Sequence, residues 1–148
     1  MEIKDSILLP KTEFSMKADL PKKEPAILDS WQKNNLYESL RNDSKDKEKF
    51  ILHDGPPYAN GHLHMGHALN KILKDIIVKY QQLLNKNSIY VPGWDCHGLP
   101  IEWKIEEQYK KNKKSKDEVP IKNFRSECRE FAGKWIDIHI KEFSRLGV

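Results

Sequence analysis

His64-Met65-Gly66-His67 follows directly on the loop Gly55-Pro56-Pro57-Tyr58-Ala59-Asn60-Gly61. Beyond it Leu69, Ile72, Leu73, Ile76, Ile77, Tyr80, Leu83 and Leu84 recur at the spacing of one wide apolar helix face. Lys71, Lys74, Asp75, Gln81 and Gln82 fill the other face, and Asn85-Lys86-Asn87 ends the helix. The tetrad therefore stands at a helix mouth. Imidazoles at i and i+3 face the same way. The glycine between them lets a flat ligand come close to the backbone. The free N–H groups of a helix start favour anions. The stretch reads as a nucleotide-phosphate site with two proton-bearing groups aimed at it.

Upstream, Phe50-Ile51-Leu52-His53 reads as a buried strand ended by Asp54-Gly55-Pro56-Pro57. Downstream, Ser88-Ile89-Tyr90-Val91 reads as a second strand stopped by Pro92-Gly93. Strand, long helix and strand make a βαβ unit with a right-handed crossover and a parallel sheet. Ligands gather at the carboxyl ends of such strands, so loops 54–67 and 92–98 are expected side by side. Pro100 suits the first turn of a further helix carrying Ile101, Ile105 and Tyr109 on one side. After Pro120, a long helix is traced by Phe124, Cys128, Phe131, Trp135, Ile138, Glu142 and Leu146, apolar except at Glu142. Gly147 looks like its C-terminal signal. The fold class is α/β. Two strands make a poor core, so the front of a larger protein is expected.

Residues 1–45 look like an arm, broken by Pro10, Pro21 and Pro25. Ile27, Leu28, Trp31, Leu36 and Tyr37 suit one short amphipathic helix over about 25–40. The chain of 148 residues is 38% hydrophobic and 32% charged, which suits one modest soluble domain. No run has the apolar length of a membrane span. Met1-Glu2-Ile3-Lys4-Asp5 lacks a secretory pattern, so a cytoplasmic location is expected. Cys96 and Cys128 belong to no paired metal pattern, and neither disulfide nor zinc is expected of them. The net charge of +4 falls entirely in residues 104–148. Its dense part, Lys110-Lys111-Asn112-Lys113-Lys114-Ser115-Lys116, reads as a solvated loop or a contact for a polyanion such as RNA.

His53, His62, His64 and His67 make four of the six histidines. A zinc site needs ligands converging from at least three positions, and no carboxylate on the His64/His67 face completes one. Satisfaction of the rings at a helix start is a second reading, but it leaves the glycines and the second loop unexplained. Phosphate chemistry accounts for both. Imidazoles donate to phosphate oxygens and count most where charge builds in a transition state. No serine or cysteine is paired to a base, so the site positions and stabilises, as phosphoryl-type transfer requires.

The tetrad resembles the H-x-G-H signature of class I aminoacyl-tRNA synthetases. Pro56-Pro57-Tyr58-Ala59-Asn60-Gly61-His62-Leu63 before it is similar to the isoleucyl branch of that family. So is Pro92-Gly93-Trp94-Asp95-Cys96-His97-Gly98-Leu99-Pro100-Ile101-Glu102 after it. The likeness extends to Leu8-Leu9-Pro10, Arg125-Ser126-Glu127-Cys128-Arg129 and Arg145-Leu146-Gly147-Val148. Valyl, methionyl and leucyl relatives differ from this chain in one loop or the other.

The resemblance implies that residues 46–148 are the first half of a Rossmann-like catalytic domain, incomplete here. It implies activation of L-isoleucine by ATP with Mg2+, and transfer of the aminoacyl group to tRNA(Ile), in an enzyme that is a monomer at full length. His64 and His67 would be catalytic and, with Gly61 and Gly66, would bind ATP. Pro56 would contribute a carbonyl and a pocket wall. Asp95 would hold the substrate ammonium through a charge-assisted hydrogen bond, or else cap the turn before Gly98. The signature motif would run from Pro57 to His67 through Met65, with no metal in this segment and zinc only in a C-terminal part. The family's Lys-Met-Ser-Lys-Ser sequence does not occur among these residues, so no useful adenylation is expected of them alone. A stand-alone nucleotide- or RNA-binding module and a smaller adenylyltransferase are the competing readings. The loop at 92–102 weakens the latter.

Overall fold

A computed structural model describes residues 3–8 and 12–148, so the expected likeness at Leu9 and Pro10 and the break at Pro10 lie outside the described residues. A 3-10 turn at Ile3–Ser6 precedes two helices, α1 (Leu20–Lys33) and α2 (Leu36–Ser44). The single arm helix expected over 25–40 is thus two. Asn35 adopts φ 48°, ψ 43°, a left-handed geometry that Asn tolerates and that breaks a helix. Pro21 stands in the first turn of α1, where its missing N–H costs nothing, and Pro25 lies inside the helix rather than ending it. The arm docks on the far end of the chain. Arg145 pairs with Glu24 at 2.7 Å, and the Lys79 ammonium lies 5.6 Å from the Trp31 ring centre.

The central unit is β1 (Lys49–Phe50), α3 (Met65–Leu83) and β2 (Asn87–Ser88), with the two strands parallel and Lys49 opposite Asn87. The βαβ order is as expected, but the strands are shorter and begin one residue earlier. Ile51, Leu52, His53 and Ile89, Tyr90, Val91 lie outside them. Each strand has one hydrogen-bonding partner among the described residues, below the three strands that usually stabilise a sheet. Then α4 (Leu99–Lys111) starts with Pro100 in its first turn. A 3-10 turn at Lys116–Glu118 leads into α5 (Ile121–Arg145). Gly147 follows with φ 78°, the left-handed geometry that glycine supplies after a helix.

The core lies between α4, α5 and the two loops: Ala59, Ile101 and Ala132 are buried, with Trp94, Cys96, Cys128, Phe131, Trp135 and Ile136 packed around them. Both cysteines are free thiols. The face assigned to α3 is reversed. Leu69, Leu73, Ile76, Ile77, Tyr80, Leu83 and Leu84 are exposed, and the buried positions are Lys71 and Val78. Polar partners turn the helix this way: Asp54 draws in Lys71 and Lys74, and Gln82 donates to the Ser88 carbonyl at 2.9 Å. The accessible surface is 12067 Å². A compact monomer of 17.4 kDa shows about 7,900 Å². The exposed apolar side of α3 is part of that excess. No helix among the described residues is long and apolar enough to cross a membrane.

Candidate functional site

His64 is the N-cap of α3, with extended backbone at φ −116°, ψ 173°. Caps are usually Ser, Thr, Asp or Asn; here two imidazoles serve reciprocally. The Gly66 N–H donates to His64 Nδ1 at 3.1 Å, and the His64 N–H donates to His67 Nδ1 at 3.3 Å. A ring nitrogen that accepts carries no proton, so each neutral ring holds its hydrogen on Nε2. Capping thus sets the tautomer and turns both Nε2–H donors away from the backbone. The rings stack with centroids 3.8 Å apart. Burial, and then the neighbouring His64, His139 and Lys71, hold His67 below the usual imidazole range. It is a neutral donor at physiological pH.

A β-carbon at position 66 would stand 2.9 Å from His64 Cε1 and 3.1 Å from its Nδ1. Gly66 makes room for the capping ring, a more local reason than the ligand approach expected from the sequence. The rings border a cleft of about 370 Å³, walled by Pro56, Pro57 and Tyr58 and floored by Lys71 and Lys74.

Several other residues of the expected signature are tied to the scaffold. Ala59 is in the core, Asn60 donates to the Pro100 carbonyl at 3.4 Å, and Met65 is exposed. Gly61, His62 and Leu63 are held from α5. The two loops do lie side by side. The Ala59 N–H donates to the Asp95 carbonyl at 3.0 Å, and the Asp95 N–H donates to the Pro57 carbonyl at 2.9 Å. The Asp95 carboxylate accepts from the His97 N–H at 3.4 Å, the turn-capping alternative. Asp95 does not line the cleft beside the histidines.

Sequence reasoning missed the charge cluster beneath the tetrad. The Asp54 carboxylate takes both Lys71 and Lys74, and the Lys71 ammonium also donates to the Gly55 carbonyl at 2.9 Å. The Tyr90 hydroxyl donates to Asp54 at 3.3 Å. Burial raises the Asp54 carboxyl, but the hydrogen bonds and charges of the two lysines outweigh it and hold it below the usual carboxylate range. Burial, and then Asp54, push the Tyr90 hydroxyl up. The available signal was the helical spacing of His67, Lys71 and Lys74, which places all three on one side of α3.

Residues 26–148 match the model of the family tRNA synthetases class I (I, L, M and V). The chain belongs to the class I tRNA synthetases. This synthetase segment is 72% identical over 145 residues to the isoleucine–tRNA ligase of Pelagibacter ubique (strain HTCC1062), covering 98% of this chain and 16% of that ligase. It is 59% identical over 148 residues to the isoleucine–tRNA ligase of Sulfurihydrogenibium sp. (strain YO3AOP1), covering 100% of this chain and 16% of the relative. The isoleucine–tRNA ligase of Brucella abortus (strain 2308) is 59% identical over 143 residues, 97% of this chain and 15% of the relative. The chain thus spans about 16% of the length of the P. ubique ligase.

Proposed function

We propose that these residues form the start of the Rossmann-like catalytic domain of an isoleucine–tRNA ligase, and that the cleft at the mouth of α3 holds the phosphates of ATP. One observation carries the reading: each tetrad histidine spends Nδ1 on the helix cap and so presents Nε2–H outward. Two outward donors at a helix N-terminus, with Lys71 and Lys74 beneath, make a site for polyphosphate. No carboxylate lines the cleft among the described residues, so Mg2+ fits as a passenger on the triphosphate rather than as a resident ion.

In the proposed reaction the isoleucine carboxylate attacks the α-phosphorus of ATP and expels pyrophosphate. The Nε2–H groups of His64 and His67 donate to phosphate oxygens as charge grows on them, and the lysines supply a positive floor. The backbone ties at Pro57, Ala59 and Asp95 keep the amino-acid loop in register with the nucleotide loop. Asp95 faces the substrate ammonium, Pro56 walls the side-chain pocket, and Gly61 completes the nucleotide loop. Transfer to tRNA(Ile) follows. The exposed apolar side of α3 is the surface we assign to packing against further ligase chain.

The test is a hybrid in which this chain replaces the matching 145 residues of the P. ubique ligase. Isoleucine-dependent ATP–pyrophosphate exchange at the rate of the P. ubique enzyme is expected. A folded hybrid that catalyses no exchange, or that prefers another amino acid, overturns the reading. The chain without the hybrid's remainder is expected to give no exchange.

A further inference from the structure

The one polar break in the apolar pattern of α5, Glu142, and a histidine one turn before it grip the loop that leads into the tetrad. His139 is fully buried. The Trp94 indole N–H donates to its Nδ1 at 3.1 Å. Indole only donates, so that ring nitrogen is unprotonated and the proton sits on Nε2, which donates to the Gly61 carbonyl at 2.6 Å. A single imidazole therefore spans the two loops. Trp94 precedes Asp95, and Gly61 lies three residues before His64.

Glu142 completes the grip. The Leu63 N–H donates to its Oε2 at 3.0 Å, and its Oε1 lies 2.5 Å from His62 Nδ1. The His62 ring also stands edge-on to Trp135, with centroids 5.0 Å apart. Gly61, His62 and Leu63 are thus each fixed to α5, and the next residue is the capping His64. The two stacked rings are held at the helix start by short-range bonds, two N–H bonds to the rings and the Ala68 N–H to the His64 carbonyl at 3.1 Å. The helix side of the cap is held through Lys71 and Lys74, and the entry of the loop into it is set by the residues that α5 fixes.

We infer that His139 and Glu142 are positioning residues of the adenylation site, bracing the nucleotide loop against the amino-acid loop from the far side of both. The inference rests on the ATP reading of the cleft for its catalytic consequence, though not for the brace itself. His139→Leu fills the site but leaves the half-buried Trp94 N–H and Gly61 carbonyl without their partner. His139→Gln keeps one acceptor and one donor on a single group, as the imidazole does.

In the hybrid ligase, His139→Leu is expected to lower the exchange kcat about 100-fold, the scale of a misplacement of about 1 Å. His139→Gln is expected to restore it to within about fivefold, and the isoleucine KM to stay within about twofold in both. Glu142, 30% exposed, gives a milder variant should His139→Leu not fold. Glu142→Ala is expected to cost about tenfold in kcat with an unchanged melting temperature, and Glu142→Gln less, since it keeps an acceptor for the Leu63 N–H. Gln no better than Leu at 139, or Glu142→Ala at the parent rate, overturns the inference. Amide hydrogen exchange of residues 61–68 separates the two claims. It must accelerate in both disruptive variants if the brace exists, whether or not the hybrid activates isoleucine. Unchanged exchange sinks the brace, while absent adenylation by the parent hybrid sinks only the ATP reading.

Discussion

Asp54→Ala removes a carboxylate that serves two lysines, one of them as deeply buried as itself. The side chains of Lys71 and Asp54 are 5% and 6% exposed, and that of Lys74 is 21% exposed. Without Asp54 the Lys71 ammonium keeps the Gly55 carbonyl alone. Lys74 can turn to water; Lys71 reaches the cleft with only a small part of its side chain. Breaking a buried pair from one side costs about 3–5 kcal/mol, because the survivor is left charged and dry. Domains of this size hold only about 5–15 kcal/mol in total. A loss near 4 kcal/mol lowers the urea midpoint by about 2 M for a slope near 2 kcal/mol per M. Removing both charges, as Asp54→Met with Lys71→Met, is expected to recover most of it, since an apolar pair of similar volume is often as stable as the ion pair. The acid limb gives an independent reading. Asp54 has its folded pKa below its unfolded value of 3.8. The unfolded state therefore binds the proton first as pH falls, and the contribution of this group is present above that value and lost as pH drops through the folded pKa. Asp54→Ala should flatten that limb. Urea unfolding of the chain at pH 7 and at pH 3–4 measures both effects. A loss under about 1 kcal/mol at neutral pH would mean the pair behaves as a solvated surface bridge, and the argument from burial would fail.

Three further outcomes bear on the cleft. His67→Ala in the hybrid ligase is expected to lower the exchange kcat by about 100- to 1,000-fold, the range for losing one transition-state donor, with isoleucine KM nearly unchanged; equal losses of stability and rate would return the ring to a packing role. Gly66→Ala puts a β-carbon 2.9 Å from His64 Cε1, so the capping ring must shift. It should cut kcat about tenfold or more while leaving the melting temperature within a few degrees, as the loss of a cap of about 1 kcal/mol allows. Asp95→Asn is expected to raise the isoleucine KM about tenfold or more before ATP KM moves, through loss of a charge-assisted contact; an unaltered KM would leave Asp95 with only its turn-capping bond to His97.

The parts of this site legible in the sequence were those set by local rules. The helix start at His64, the proline-led start of α4 and the glycine after α5 follow from capping and backbone geometry within a few residues. The adjacency of the two loops followed from βαβ order, and the bonds between Pro57, Ala59 and Asp95 bear it out. The inward face of α3 was not legible, because hydrophobic period presumes that the apolar side finds the core. Here an ion pair outranked it: Asp54, seventeen residues upstream of Lys71, is invisible to any window centred on the helix. The brace was half legible. Glu142 stood out as a charge on an apolar stripe, a position that demands a partner. Its partners, His62 and the Leu63 N–H, lie about eighty residues away and appear only once α5 is laid against the loop. His139 gave no signal, since a lone histidine in a helix is equally at home in solvent. The site therefore divides by range. What lines the nucleotide cleft is written in one stretch, Gly55 to Lys74, and what aims it is contributed from the far end of the chain. A substitution on α5 can then silence the tetrad without altering any residue of it.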